Sequence, residues 1–163
     1  MSERSINRQW LINGSPRGRA LEPSDFALTE VELGALEKGR VRVKVEYLSF
    51  EPSQKGKLEN ISGYSGGAKI GDVMIGRGMG EVIESQDAKL ALGSKVFGYV
   101  GWQEFADMPS SALTVLPEDD LMLTRLGPLG STGLTAYFGL LKVGRPEPGD
   151  TVVVSGAAGA VGS

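Results

Sequence analysis

The 163-residue sequence holds no cysteine and no histidine. Without thiolates there is no disulfide framework, no thiolate zinc site, no iron–sulfur ligation and no cysteine nucleophile. Without imidazole there is no Ser-His-Asp triad, no imidazole base and no histidine metal ligand. A carboxylate-only metal site stays open by composition, but the acids are scattered singly, so no metal is expected. Charge of one sign is also scarce. With 17 Lys+Arg against 20 Asp+Glu the net charge is −3, which gives no electrostatic footprint for nucleic acid. No apolar run approaches the roughly 18 residues of a spanning helix, and Met1 to Trp10 carries no apolar signal-peptide core. Neither a nucleic acid nor a membrane is expected as a partner. The lack of cysteine fits a cytoplasmic protein, although secreted proteins can lack it too.

Glycine is the excess, at 24 of 163 residues, roughly twice average usage. A chain of this length buries about 68–70% of its unfolded surface, enough for one core. The clearest strand is Arg40 to Tyr47, with Val41, Val43, Val45 and Tyr47 on one face and Arg40, Arg42, Lys44 and Glu46 on the other. Period-2 alternation of this kind predicts a half-buried antiparallel strand. Gln9 to Ile12 reads as an edge strand closed by the Asn13-Gly14 turn signal, and Phe26 to Leu33 alternates loosely. Glu51 to Gly56 reads as a turn or a single helical turn. Asn60 to Gly71 is Gly/Ser-rich and reads as a mobile loop. Val73 to Glu84 carries glycines at 76, 78 and 80, which predict bulges or close backbone approach. Short strands follow at Lys95 to Val100, Gln103 to Ala106 and Leu113 to Leu116. Many short strands between Gly/Pro turns point to a β-barrel or sandwich.

The period changes near residue 130. Leu134, Tyr137, Phe138 and Leu141 predict one face of an amphipathic helix, capped by Ser131 or Thr132 and ended by Gly144. Thr151 to Ser155 is an apolar run without alternation, as in a strand buried in a parallel sheet. Gly156-Ala157-Ala158-Gly159-Ala160-Val161-Gly162-Ser163 follows directly, the context of a dinucleotide-binding turn. Ala157 stands in the first glycine's place, while Gly159 and Gly162 fit the G-x-G-x-x-G spacing. An ordinary tight strand-to-helix turn is the plainer alternative, and a P-loop is a poor match because no Lys-Ser/Thr follows. The expected division is a β domain over 1–125 and the start of an α/β domain over 126–163. A turn of this type works with the helix after it and the strand with neighbours, so the expectation is the N-terminal part of a longer protein.

Several stretches carry a resemblance. They are Asn7-Arg8-Gln9-Trp10, Val45 to Pro52, Gly71 to Ser85, Gly101 to Ala106, Thr132 to Leu140 and Gly156 to Ser163. Together the chain resembles the zinc-independent medium-chain dehydrogenase/reductase superfamily, near its prostaglandin, leukotriene, alkenal and curcumin reductases. The resemblance implies a GroES-like, partly open β-barrel followed by the first helix and strand of a Rossmann domain that binds NADPH. It implies hydride transfer to the C=C bond of an α,β-unsaturated ketone or aldehyde, with enone, enal or quinone substrates and a cytoplasmic homodimer as the working form. One departure is plain. Where the family usually has Tyr-Met-Arg after the Asp/Glu-Pro pair, this chain has Ser53-Gln54-Lys55.

Hydride addition to a conjugated alkene builds negative charge on the carbonyl oxygen, which needs a positioned hydrogen-bond donor. Tyr64, in the Gly-rich loop, is the candidate donor; a loop anchor packed on the barrel is the alternative. Tyr47 and Tyr137 read as core, and Tyr99 is ambiguous. Lys55 is a candidate for a cofactor phosphate or ribose, or is simply solvated. Thr132 is a candidate cofactor contact, although a capping role alone would explain it. Ala157, Ala158, Gly159, Ala160, Val161 and Gly162 are the candidate pyrophosphate-binding residues. Trp102 to Phe105 could wall a pocket or pack the barrel. Two rival readings are a quinone reductase of the same superfamily and a stand-alone GroES-like binding or assembly module.

Overall fold

The computed structural model describes residues 6–60, 68–119 and 121–163. The chain divides into two compact units, one ending at Leu116 and the other comprising Pro117–Ser163.

The first unit is almost entirely antiparallel β. Strands β1 (Ile6–Ile12) and β2 (Phe26–Glu32) form a two-stranded sheet. A five-stranded sheet has the order β6-β3-β4-β5-β7, from β3 (Arg40–Leu48), β4 (Gly78–Ser85), β5 (Lys95–Gly98), β6 (Phe105–Pro109) and β7 (Thr114–Val115). The sheets do not close on one another through a continuous ladder. Single bridges from Gln9 to Gln103 and Leu11 to Val73 join β1 to the segments beside it. A helix, α1 (Pro52–Leu58), follows β3. The mainly β, partly open barrel expected from the sequence is therefore the fold observed.

The glycines of β4 act as expected, through close approach. A Cβ on Gly80 would collide with the Lys44 carbonyl oxygen, and one on Gly78 with that of Tyr47. The β3–β4 register slips twice. Ile83 is the extra residue on β4, and Glu46 the extra residue on β3. A bulge reverses the side-chain phase beyond it, so Tyr47 leaves the apolar face and is exposed rather than in the core.

Arg42, expected on the solvent face, is also buried. Its two register partners are both acids: Glu84 on β4 and Asp107 on β6. The guanidinium bridges them, with Nε and Nη2 on Asp107 at 2.7 and 2.8 Å and Nη1 on Glu84 at 2.8 Å, and it caps the Gly34 carbonyl. Beneath it lies the core of Val41, Val43, Val82, Leu90, Val96, Val100 and Ala106. A second cluster joins Ile12, Leu58 and Met74, with Phe26 and Trp102 packed against it.

Asn13-Gly14 is not a two-residue hairpin turn. Both amides donate to the Asp25 carbonyl oxygen, and β2 begins only at Phe26. Asp25, buried, receives Arg19 at 2.9 and 2.6 Å and holds this connection together.

The second unit holds a 3-10 helix over Leu123–Leu126 and an α-helix, α2 (Ser131–Tyr137), continued as a π-helical stretch over Phe138–Gly144. Gly130 is the N-cap, with no side-chain cap, so Ser131 and Thr132 lie inside the helix. Arg145, in left-handed conformation, ends it in place of Gly144. No described residue of this unit is buried. The expected apolar stripe of Leu134, Tyr137, Phe138 and Leu141 is exposed, because the described residues of this unit form no sheet for it to cover. For the same reason Thr151 to Ser155 forms no ladder, and Val153 is 88% exposed.

Candidate functional site

In the first unit the functional candidates gather where β3 ends, β4 begins and β5 ends. Leu48 pairs with Gly78, and Gly78 with Gly98. The segments leaving these strands therefore emerge side by side, and the Ser49 amide donates to the Arg77 carbonyl.

Glu51 starts α1. Pro52 occupies the first turn, where its missing N–H costs nothing. The buried Gln54 accepts from the Glu51 amide at 3.0 Å and donates to the carbonyls of Ser49 and Ile75 at 3.1 Å each. The Glu51 carboxylate accepts Nε and Nη2 of Arg77 at 3.0 and 2.7 Å, and the hydroxyls of Ser49 and Ser53 at 3.1 and 3.2 Å. Burial pushes this carboxyl up, but Arg77, Ser49 and Ser53 outweigh it and hold Glu51 below its ordinary value. Ser53 and Gln54 thus support Glu51 and the helix start.

Lys55 lies on α1, half-buried, with Nζ 3.1 Å from Glu59. Lys57 lies over the Tyr99 ring, 4.8 Å from its centroid, and the Arg77 guanidinium is 5.9 Å from the same ring. Phe50 is exposed and meets Trp102 edge-on at 5.1 Å, while Trp102 stacks on Phe26 at 5.3 Å. Trp102 therefore packs against two rings, and its buried Nε1 has no hydrogen-bond partner among the described residues. Tyr64 lies outside the described residues. Among the described residues no group of three His, Cys, Asp or Glu comes together to hold a metal, and no helix is long and apolar enough to cross a membrane.

Glu51, Arg77, Lys57 and Tyr99 were not singled out as a group by sequence reasoning. The Pro52 and Gln54 that follow Glu51 are a local helix-start signal. The partner, Arg77, stands 26 residues away, and no local pattern announces it.

In the second unit Thr132 is the second residue of α2. The turn from Gly156 to Ser163 is exposed, apart from half-exposed Gly162. Gly156, one position before Ala157, has φ +65°, the left-handed region that favours glycine. A Cβ on Gly162 would sit 2.5 Å from the Gly156 carbonyl oxygen. The amides of Gly159, Gly162 and Ser163 are engaged within the turn. Those of Ala157, Ala158, Ala160 and Val161 have no acceptor among the described residues. Small residues, obligatory glycines and uncommitted amides suit a pyrophosphate, so the residues present fit a dinucleotide.

Residues 8–116 match the family model described as the N-terminal domain of oxidoreductase. The chain is 35% identical to the NADPH-dependent curcumin reductase of Escherichia coli over 99% of its length and 47% of that protein's. It is 32% identical to prostaglandin reductase 1 of Oryctolagus cuniculus, covering 96% of this chain and 44% of the relative. CurA of Vibrio vulnificus in complex with NADPH superposes with a TM-score of 0.86 at 34% identity, over 95% of this chain and 46% of that one. The chain spans about half the length of the relatives it matches.

Proposed function

From a chain that belongs to the medium-chain dehydrogenase/reductase superfamily through its N-terminal oxidoreductase domain, we propose the activity of an NADP(H)-dependent reductase. The substrate is an α,β-unsaturated ketone or aldehyde, and the hydride goes to its C=C bond. The observation that carries this reading is likeness to NADPH-dependent reductases across nearly the whole chain, barrel and Gly-rich turn together.

The roles of the residues follow from their chemistry. The uncommitted amides of Ala157, Ala158, Ala160 and Val161, with Gly159 and Gly162 keeping the backbone bare, hold the pyrophosphate. Thr132 and Lys55 contact the cofactor, Lys55 exchanging Glu59 for a phosphate or ribose oxygen. The nicotinamide, when bound, supplies the hydride. Tyr64 donates a hydrogen bond to the substrate carbonyl as negative charge builds on its oxygen. These 163 residues offer no thiolate or imidazole to a zinc ion, so within them polarisation of the carbonyl falls to such donors. In this reading the barrel domain covers 1–125, the cofactor domain starts at 126, and the full-length enzyme is a cytoplasmic homodimer.

The test is NADPH oxidation by the full-length protein with an enone, with product analysis. A saturated ketone with its carbonyl intact supports the reading. Turnover with quinones alone moves the assignment to quinone reduction, and a ring-sized assembly without turnover moves it to a binding module.

A further inference from the structure

The Asn13-Gly14 pair, a turn signal in the sequence, has no part in the reductase chemistry. It follows β1 directly, and Asn13 is exposed. Asparagine before glycine is the pair in which the following backbone nitrogen most readily attacks the side-chain amide, because glycine brings no side chain into the way and lets the backbone turn freely. The fold keeps that glycine for a reason of space. A Cβ at position 14 would stand 2.6 Å from Oδ1 of the buried Asp25.

The same residue restrains the pair. The Gly14 amide donates to the Asp25 carbonyl at 3.1 Å, so the attacking nitrogen is engaged. The Asn13 amide donates to the same oxygen at 2.7 Å, and Nδ2 of Asn13 donates to the Ser24 carbonyl at 3.0 Å, which fixes the side-chain amide. Asp25 is in turn held through its carboxylate by Arg19, at 2.9 and 2.6 Å, and by the Glu22 amide at 2.9 Å.

We propose that Asn13 is a deamidation site of the native protein, restrained by the Arg19–Asp25 ion pair. When the connection opens, the Gly14 nitrogen loses its proton and bonds to Cγ of Asn13, and the side-chain nitrogen leaves as ammonia. Water then opens the five-membered imide. Cleavage between the ring nitrogen and Cγ leaves aspartate, and cleavage between that nitrogen and the main-chain carbonyl leaves isoaspartate. No oxidant or reductant takes part. Aspartate replaces the Nδ2 donor to the Ser24 carbonyl with a second acceptor, so that tie is lost. Isoaspartate adds a carbon to the backbone just before Gly14. Ser15, the next residue, donates its hydroxyl to the Leu58 carbonyl at 2.9 Å, so the change is passed on to the end of α1.

The experiment incubates the full-length protein, as wild type, Arg19→Gln and Arg19→Lys, in mildly alkaline buffer beside a synthetic peptide spanning residues 10–21. Conversion at position 13 is followed by peptide mapping with mass spectrometry and isoaspartate detection, which do not depend on NADPH turnover. Wild type is expected to react about a hundredfold more slowly than the peptide, and Arg19→Gln about tenfold faster than wild type. Arg19→Lys, which keeps the charge but not the two-point contact, is expected to fall between them, and it carries the comparison if Arg19→Gln does not fold. Equal rates in the peptide and native wild type overturn the proposal, since the connection then restrains nothing. Equal rates in wild type and the Arg19 variants overturn it as well, since the ion pair is then not the restraint. Reaction of the peptide with no conversion in any of the three proteins overturns Asn13 as a site of the native protein.

Discussion

Asn7 does with one side chain what a strand would do with its backbone. It is buried, its Nδ2 donates to the Phe105 carbonyl at 2.8 Å, and its Oδ1 accepts the Phe105 amide at 3.0 Å. Gln103 accepts from both Asn7 and Gln9 and donates to the Val100 carbonyl. The edge of β6 is thus sealed by β1. Asn7→Leu leaves both backbone groups of Phe105 without these partners, and each unsatisfied group costs about 1–3 kcal/mol. A loss of about 3 kcal/mol is expected in urea unfolding, with the slope unchanged. A loss below about 0.5 kcal/mol would mean that water replaces the clasp.

Titration belongs to the same scale. Arg19, followed by the Glu22 amide, holds the Asp25 carboxyl below its ordinary value. Arg77 and its companions do the same for Glu51. A depressed folded-state pKa gives stability that is fully present above the unfolded value, near 4, and is lost as pH falls through the folded one. Acid unfolding of the wild type is therefore expected to steepen below about pH 4. Arg19→Gln is expected to flatten that limb while changing little in the slope above pH 6. An unchanged acid limb in Arg19→Gln would remove Asp25 from the account. Tyr64→Phe, in the full-length enzyme, is expected to lower kcat and kcat/KM together by about tenfold with cofactor affinity kept. Unchanged kcat would leave Tyr64 as a loop anchor.

At the scale of elements, β3 and β4 show what local sequence can and cannot announce. The glycines at 78 and 80 predicted close approach, and the carbonyls of Tyr47 and Lys44 fill the space their side chains would need. The alternation of β3 held through Val45 and failed at Tyr47, because an extra residue at Glu46 is a property of the pair of strands rather than of either one. The burial of Arg42 was illegible for the same reason. Its acids lie 42 and 65 residues away, and no window on β3 contains them. Gly80→Ala is expected to destabilise strongly, by about 2–4 kcal/mol, since the opposing atom is backbone and cannot move aside without breaking the ladder. Thermal unfolding of Gly80→Ala checks this, and a midpoint within two degrees of wild type would show that β3 can yield.

At the scale of the whole molecule the two units differ in kind. The first has a core, ion pairs that span its strands and a superposable barrel. The second shows apolar side chains without a core: Leu134, Tyr137, Phe138, Val152, Val153 and Val154 are all exposed. The helix period and the Gly-rich turn were readable in the sequence because both are local. The expected burial of Thr151 to Ser155 was not met, since burial is supplied by neighbouring strands that this unit lacks. The consequence for cofactor binding can be measured. After Gly156 the backbone forms turns rather than a helix, so no helix dipole and few converging amides meet a pyrophosphate. The amides of Ala157, Ala158, Ala160 and Val161 alone give a handful of exposed hydrogen bonds, each worth little against water and the entropy of fixing the ligand. The 163-residue chain is therefore expected to bind NADPH no better than millimolar in titration calorimetry, and a chain of the relatives' full length is expected to bind it more tightly. Micromolar binding by the 163-residue chain would show that contacts within these residues already organise the turn, and that its exposed amides hold a pyrophosphate without a helix behind them.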